Sequence, residues 1–180
     1  MKDYQVLNEI RKQGVCAIVR GTSADSLCKI ADALLKGGVK TIEVAFNTPG
    51  ATKMIEELIK KYSNEMLIGA GTVLDPATAR IAILSGASFI LSPTLNIEVM
   101  KTCNRYSALA VPGISTPTEA LTAWENGAQI VKVFPAGILG PKYIKQIKGP
   151  LSQIDMIAVG AVNIDKSWSM RCGNRRRTCQ

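Results

Sequence analysis

Two charged residues interrupt runs of apolar, largely β-branched sequence. Lys132 stands within Gln-Ile-Val-Lys-Val-Phe-Pro (129–135) and Glu43 within Thr-Ile-Glu-Val-Ala-Phe (41–46). A buried charge without a partner is costly, and the usual relief is a counter-ion or a shifted pKa. An amine in an apolar interior loses the stabilisation of its ammonium form, so its pKa falls and the free amine becomes available. Such an amine attacks a ketone or aldehyde to give a Schiff base, an electron sink that lets a neighbouring C–C bond break or form. A carboxyl within reach can shuttle the protons, and Glu43 is the candidate. The competing reading is a buried Lys–Glu ion pair that only organises the core, although such pairs are rare and seldom net stabilising. Perturbed titratable groups gather at working sites, which favours the chemical reading.

Composition narrows the alternatives. The 180 residues contain no histidine, which removes Ser-His-Asp and Cys-His catalysis, HExxH hydrolysis and metal chemistry that depends on His ligands. Acid–base work must then fall to Glu, Asp, Lys, Tyr or Cys. Cys16, Cys28, Cys103, Cys172 and Cys179 form no CxxC pair, and their odd number argues for reduced thiols. No metal and no cofactor is expected. The net charge of +8 is uneven: Lys166, Arg171, Arg175, Arg176 and Arg177 all lie after residue 165, and the rest of the chain is only mildly basic. No nucleic-acid partner is expected from a terminal Arg triplet. Met-Lys-Asp-Tyr-Gln at the start has no apolar signal region, and no apolar run approaches the roughly 20 residues of a membrane span. The expectation is a cytoplasmic protein with no membrane partner.

Short apolar segments at 15–20, 41–46, 67–73, 89–92, 108–112, 130–134 and 155–159 read as strands, with helix patterns at 24–37, 49–62, 76–85, 96–105, 117–126 and 141–148 between them. Asp25, Thr48, Asp75, Asn96 and Thr116 stand near helix starts, and Gly37, Gly86 and Gly127 near helix ends. Buried strands alternating with helices predict a parallel sheet, and the recurrence of Lys-Gly-Gly-Val (36–39), Ser-Gly-Ala-Ser (85–88) and Asn-Gly-Ala-Gln (126–129) before strands favours a (β/α) barrel over an open sheet. In such a barrel the working groups project from the C-terminal strand ends. Arg20, Glu43, Thr72, Ser92, Pro93, Lys132 and Phe134 all fall there, with Ile130, Lys132 and Phe134 on one face of their strand. Gly69-Ala70-Gly71-Thr72 reads either as part of a phosphate loop or as close backbone packing. Pro112-Gly113 and Ser92-Pro93 read as turn chemistry. Arg20 reads either as a bidentate carboxylate fork or as a solvated strand end.

The ordered motifs Ile-Glu-Val-Ala-Phe-Asn-Thr-Pro, Ile-Gly-Ala-Gly-Thr-Val, Phe-Ile-Leu-Ser-Pro, Val-Pro-Gly-Ile-Ser-Thr-Pro-Thr-Glu and Val-Lys-Val-Phe-Pro-Ala resemble the KDPG/KHG aldolase family from about residue 5 to residue 164. The resemblance implies an α/β fold of the (β/α)8 TIM-barrel family and a homotrimer. It implies a class I, Schiff-base aldolase that cleaves 2-keto-3-deoxy-6-phosphogluconate or 4-hydroxy-2-oxoglutarate to pyruvate and an aldehyde, in carbohydrate breakdown of the Entner–Doudoroff type. By position, Lys132 would be the Schiff-base lysine and Glu43 the general acid/base. Thr72 would touch the pyruvyl part of a small 2-keto acid substrate, Pro93 and Phe134 would pack around it, Arg20 would lie near a substrate anion, and the Gly160 backbone would help hold a phosphate.

The chain departs from the family in three places. Asn47 stands where some members carry an arginine for the substrate carboxylate, which leaves Arg20 to serve. Ala158-Val159-Gly160-Ala161 replaces the usual Pro-Thr-Gly-Gly, and the phosphate site is expected to be weaker. After Asn163 the family pattern stops. The expectation is a barrel domain over residues 1–164, incomplete with about seven strands, followed by a basic, non-homologous and disordered tail at 165–180 that arose by a change of reading frame. Two open sheet edges would follow, with reduced stability and a tendency to aggregate. A truncated, inactive scaffold or interaction protein is therefore the alternative. An isomerase or synthase on a phosphate-binding barrel would explain Gly69 to Thr72 but gives no reason for Lys132.

Overall fold

The computed structural model describes residues 3–162; the basic tail expected at 165–180 lies outside the described residues. Strands and helices alternate: α1 (Asp3–Gln13), β1 (Ala17–Val19), α2 (Ala24–Lys36), β2 (Thr41–Ala45), α3 (Ala51–Tyr62), β3 (Leu67–Gly71), α4 (Pro76–Leu84), β4 (Phe89–Leu91), α5 (Ile97–Arg105), β5 (Leu109–Val111), β6 (Gly113–Ile114), α6 (Pro117–Glu125), β7 (Ile130–Val133), α7 (Ala136–Lys148) and β8 (Asp155–Ala158). The ladders run β1-β2-β3-β4-β5 and β6-β7-β8, all parallel. β5 and β6 are one strand interrupted at Pro112, which has no N–H to donate. The Pro112 carbonyl still accepts from the Lys132 N–H at 2.8 Å, which carries the sheet across the break. The described residues thus form seven consecutive strand positions of a TIM-barrel-like α/β fold, with β1 and β8 at its two ends.

Strand alternation sorts the apolar residues into two layers. Ile42, Val44, Ile68, Ala70, Ile90, Val131 and Val133 face outward and pack with Leu27, Ile55, Leu58 and Met100 of the helices. Leu67, Phe89, Leu91, Leu109, Val111 and Ile130 face inward and form a separate cluster. Burying each large side chain contributes about 1.5–3 kcal/mol, so both layers count.

Helix α1 lies before residue 24, where the sequence pattern predicts no helix. Its apolar residues Val6, Leu7 and Ile10 are buried in the inward cluster, so α1 caps the N-terminal end of the strand array. Asp3 Oδ2 accepts from Gln129 Nε2 at 2.8 Å, and Arg11 pairs with Asp155 at the start of β8.

Helix capping holds at Asp75, Asn96 and Thr116, the last in a reciprocal box with Glu119. It differs at two helices. The cap of α2 is Ser23 rather than Asp25, and α3 starts from Gly50 at φ 78° rather than from Thr48. Helix α7 begins at Ala136, earlier than the pattern at 141–148 suggested, and breaks at Gly140 (φ 78°, ψ 166°). Pro141 removes a helix donor there, so two short pieces meet at the glycine. Among the described residues no helix is long and apolar enough to cross a membrane.

Candidate active site

The two charges that stand out in the sequence both end up inside the strand array. Glu43 is 1% exposed and Lys132 5% exposed. Glu43 pairs in register with Gly69, and Lys132 lies two residues from inward-facing Ile130 with Gly113 and Ile157 as ladder neighbours. They do not form a direct ion pair; the ion pairs among the described residues are Arg11–Asp155, Lys61–Asp32 and Lys101–Glu98. The reading in which the two charges neutralise each other in the core thus has no direct contact behind it. Instead they act on each other through space. Burial pushes the Lys132 pKa down, with Glu43 pulling it back and the Arg20 charge pushing it further down. Burial pushes the Glu43 pKa up, with Lys132 and Arg20 opposing. Both shifts favour the neutral forms, a free amine and a protonated carboxyl. Glu43 Oε2 is buried and has no hydrogen-bond partner among the described residues, which leaves it able to meet a hydroxyl brought by a substrate. Cys16, a neighbour that the sequence did not mark, feels both charges, and burial holds its thiol protonated.

The glycines of Gly69-Ala70-Gly71 make room for this arrangement. A Cβ on Gly71 would stand 1.6 Å from Glu43 Oε1, and one on Gly69 would stand 2.3 Å from the Phe89 ring. Of the two readings of this motif, close packing is the one these contacts support. Because the obstacle at position 71 is the end of a movable side chain, Gly71→Ala is expected to displace the carboxylate rather than break the fold. Steady-state kinetics should show kcat down by at least about tenfold, since small displacements of a reacting group are costly, with a cooperative melt retained. An unchanged kcat would mean that the Glu43 position is not critical.

Beyond Gly71 the chain turns through Thr72 at φ 58°, an uncommon conformation for a β-branched residue. Its Oγ1 accepts from Arg20 Nη2 at 3.3 Å, which joins the ends of β1 and β3 above Glu43. Asn47 is exposed. On the other side of the site, Lys132 Nζ lies 5.4 Å from the centre of the Phe134 ring, itself 37% exposed. Gly160, at φ 92°, backs onto that ring: a Cβ there would come within 3.0 Å of it. The Val159 and Gly160 carbonyls accept from the Ala136 and Gly137 N–H groups at 2.8 Å each, which ties the segment after β8 to the start of α7. Pro93 sits against Gly113, whose missing Cβ would meet the Pro93 backbone at 2.3 Å.

The expected site residues therefore fall into two contacting sets, Arg20 with Thr72 and Lys132 with Phe134 and Gly160, and Glu43 faces both sets electrostatically. Pro93 reaches the second set through Gly113, the ladder partner of Lys132. Cys16 could have been found by counting two residues back from Ile18 on the inward face. Nothing in the sequence announces the cross-loop bond in which Thr48 Oγ1 accepts from the Gly21 N–H.

The sequence and the fold have close counterparts. The family model described as KDPG and KHG aldolase matches residues 6–170. The chain is 37% identical over 152 residues to the 2-dehydro-3-deoxy-6-phosphogalactonate aldolase of Escherichia coli K12, covering 84% of this chain and 74% of that one. It is 31% identical over 161 residues to the 2-dehydro-3-deoxy-phosphogluconate aldolase of Haemophilus influenzae, covering 89% and 76% respectively. A KDPG aldolase from Legionella pneumophila, solved with pyruvate captured as a covalent carbinolamine intermediate, superposes with a TM-score of 0.85 at 29% identity over 89% of this chain and 79% of that one.

Proposed function

The chain belongs to the KDPG and KHG aldolase family, and from that premise we propose that it is a class I aldolase in which Lys132 is the Schiff-base nucleophile and Glu43 the proton shuttle. The observation that carries the proposal is the pairing of two buried, opposite, non-contacting charges on β7 and β2, each shifted toward its neutral form.

The free amine of Lys132 attacks the C2 carbonyl of a 2-keto acid, and the carbonyl oxygen takes a proton from the Glu43 carboxyl to give a carbinolamine. Loss of water leaves the iminium. Glu43 then removes the proton of the C4 hydroxyl, the C3–C4 pair flows into the iminium, and the aldehyde departs. The enamine is protonated at C3, and hydrolysis returns pyruvate and the lysine. Arg20 and Thr72 hold the carboxylate next to C2 through a guanidinium and a hydroxyl. Phe134 and Pro93 wall the pocket, and the ring face stabilises the cationic iminium much as it does the ammonium. Gly160 offers backbone to the far end of the substrate.

The substrate is a 4-hydroxy-2-keto acid, either 2-dehydro-3-deoxy-6-phosphogluconate or its galactonate epimer, after the relatives above, or 4-hydroxy-2-oxoglutarate. The working form is a cytoplasmic homotrimer serving sugar-acid breakdown of the Entner–Doudoroff type. Its buried interfaces would draw on apolar side chains left exposed on the single chain, such as Leu84 at 62% and Ile138 at 82%.

Borohydride reduction in the presence of pyruvate, followed by peptide mass mapping, tests the assignment. A reduced pyruvyl adduct on Lys132 is expected. A folded protein with no adduct would leave the scaffold reading in its place, and an adduct on another lysine instead would overturn the assignment of Lys132.

A further inference from the structure

Thr48 has an unusual assignment for a residue next to a helix start. It is 5% exposed, and its Oγ1 does not cap α3, whose N-cap is Gly50 with no side-chain bond. Instead Oγ1 accepts from the Gly21 N–H at 3.0 Å, across 27 residues of sequence. The β1–β2 ladder ends at Val19 with Val44, so Arg20 lies one residue beyond its last register pair. The Gly21 N–H belongs to the peptide plane that follows the Arg20 Cα, and Gly21 itself turns through φ 64°. Thr48 is rigid in turn: its N–H donates to the Ala45 carbonyl at 2.9 Å and its carbonyl accepts from the Ala51 N–H at 3.1 Å.

We infer that Thr48 is a positioning residue for the substrate carboxylate: its buried hydroxyl fixes the peptide plane after Arg20 and thereby aims the guanidinium at Thr72, on the rim above Glu43. The inference rests on the reading of Arg20 as the carboxylate ligand. A long, exposed arginine gives up much rotamer freedom when it holds one geometry, and a fixed backbone reduces what remains to be lost. The β2–α3 loop does this from the strand that also carries Glu43, so anion binding and proton transfer are set from one element.

Thr48→Val removes the acceptor and keeps the shape. The expected result is KM for the 2-keto acid raised about tenfold, in keeping with the sensitivity of binding to misplaced groups, with kcat within about twofold. Thr48→Ser should restore the native KM. Borohydride trapping at low pyruvate should fall, whereas trapping of hydroxyacetone, which has the carbonyl but no carboxylate, should not. Arg20→Met should raise KM at least as much, and the double variant should be no worse than Arg20→Met alone, because the two act through one contact.

If Arg20→Met raises KM and Thr48→Val does not, the inference falls and the Arg20 reading stands. If Arg20→Met leaves KM and pyruvate trapping unchanged, the Arg20 reading falls and takes the inference with it. Should Thr48→Val not fold, Thr48→Ala is judged by the same criteria. Failure of both to fold, with Thr48→Ser normal, would assign the hydroxyl a purely structural role and overturn the inference.

Discussion

Lys132→Met is expected to lose aldol cleavage by at least about 10⁴-fold, as removal of a covalent nucleophile generally does, and at the same time to melt higher than the native protein. The amine is buried and its pKa is depressed mainly by burial, so below its folded pKa the ammonium form destabilises the fold relative to the unfolded chain. Methionine has a similar length and no charge to desolvate. Replacing a buried ion pair by apolar side chains is neutral or stabilising by about 1–4 kcal/mol where packing is kept, and Glu43, its pKa raised by burial, can stay neutral once the lysine is gone. A gain of about 1 kcal/mol corresponds to roughly 2–4 °C in Tm at this chain length. The pH dependence provides the check. The native penalty is fully present below the folded pKa of Lys132 and disappears as pH rises toward about 10.4, the ordinary lysine value, so the Tm advantage of the variant should shrink over that window. Differential scanning calorimetry at several pH values reads this directly. A lower Tm for Lys132→Met at neutral pH would mean that the lysine organises the core after all.

The candidate site was legible in the sequence where chemistry violates the local pattern, and illegible where geometry alone decides. Lys132 and Glu43 could be read because a charge in the middle of a buried strand has no ordinary explanation. The strands themselves were legible for the same reason, since Ile42, Val44, Val131 and Val133 leave little choice of face. Helix α1 escaped because its signal is only Val6, Leu7 and Ile10 in a polar segment, and its burial depends on an opening at the end of the strand array that no local window contains. Gly69 and Gly71 fit a phosphate loop and close packing equally well in the sequence, which shows that a side chain is missing but not what occupies the space. Here that is the Phe89 ring and the Glu43 carboxylate. Residue type and place both suit Thr48 to a helix cap, and only the left-handed Gly50 between it and α3 shows the hydroxyl to be free for Gly21. Helix boundaries shifted for the same reason at Gly140 and Pro141, where a break inside α7 made its first turn look like loop.

Glu43→Gln separates proton transfer from imine formation. The amide keeps the shape of the carboxyl but cannot exchange a proton, so kcat should fall by about 10²–10⁴-fold, the usual contribution of a positioned acid/base. Borohydride trapping of pyruvate on Lys132 should survive, more slowly. Its pH profile should also move. Burial and Arg20 lower the Lys132 pKa while Glu43 raises it, so removing the carboxylate leaves burial and Arg20 opposed only by the smaller effect of Cys16. The free amine then appears at lower pH, and the half-maximal trapping rate should shift toward acid. A shift toward alkali, or none, would mean that no Glu43 charge acts on the lysine over the titrated range. Stability supplies an independent reading with the opposite sense of titration. Because burial raises the Glu43 pKa, its ionisation weakens the fold: the penalty is absent below about 4.3, the ordinary glutamate value, grows as pH rises, and is complete above the folded pKa. Glu43→Gln should therefore match the native protein in Tm near pH 4 and exceed it at higher pH. A variant that is slower, more stable and trapped by pyruvate at lower pH identifies Glu43 as a residue kept for chemistry at the expense of the core.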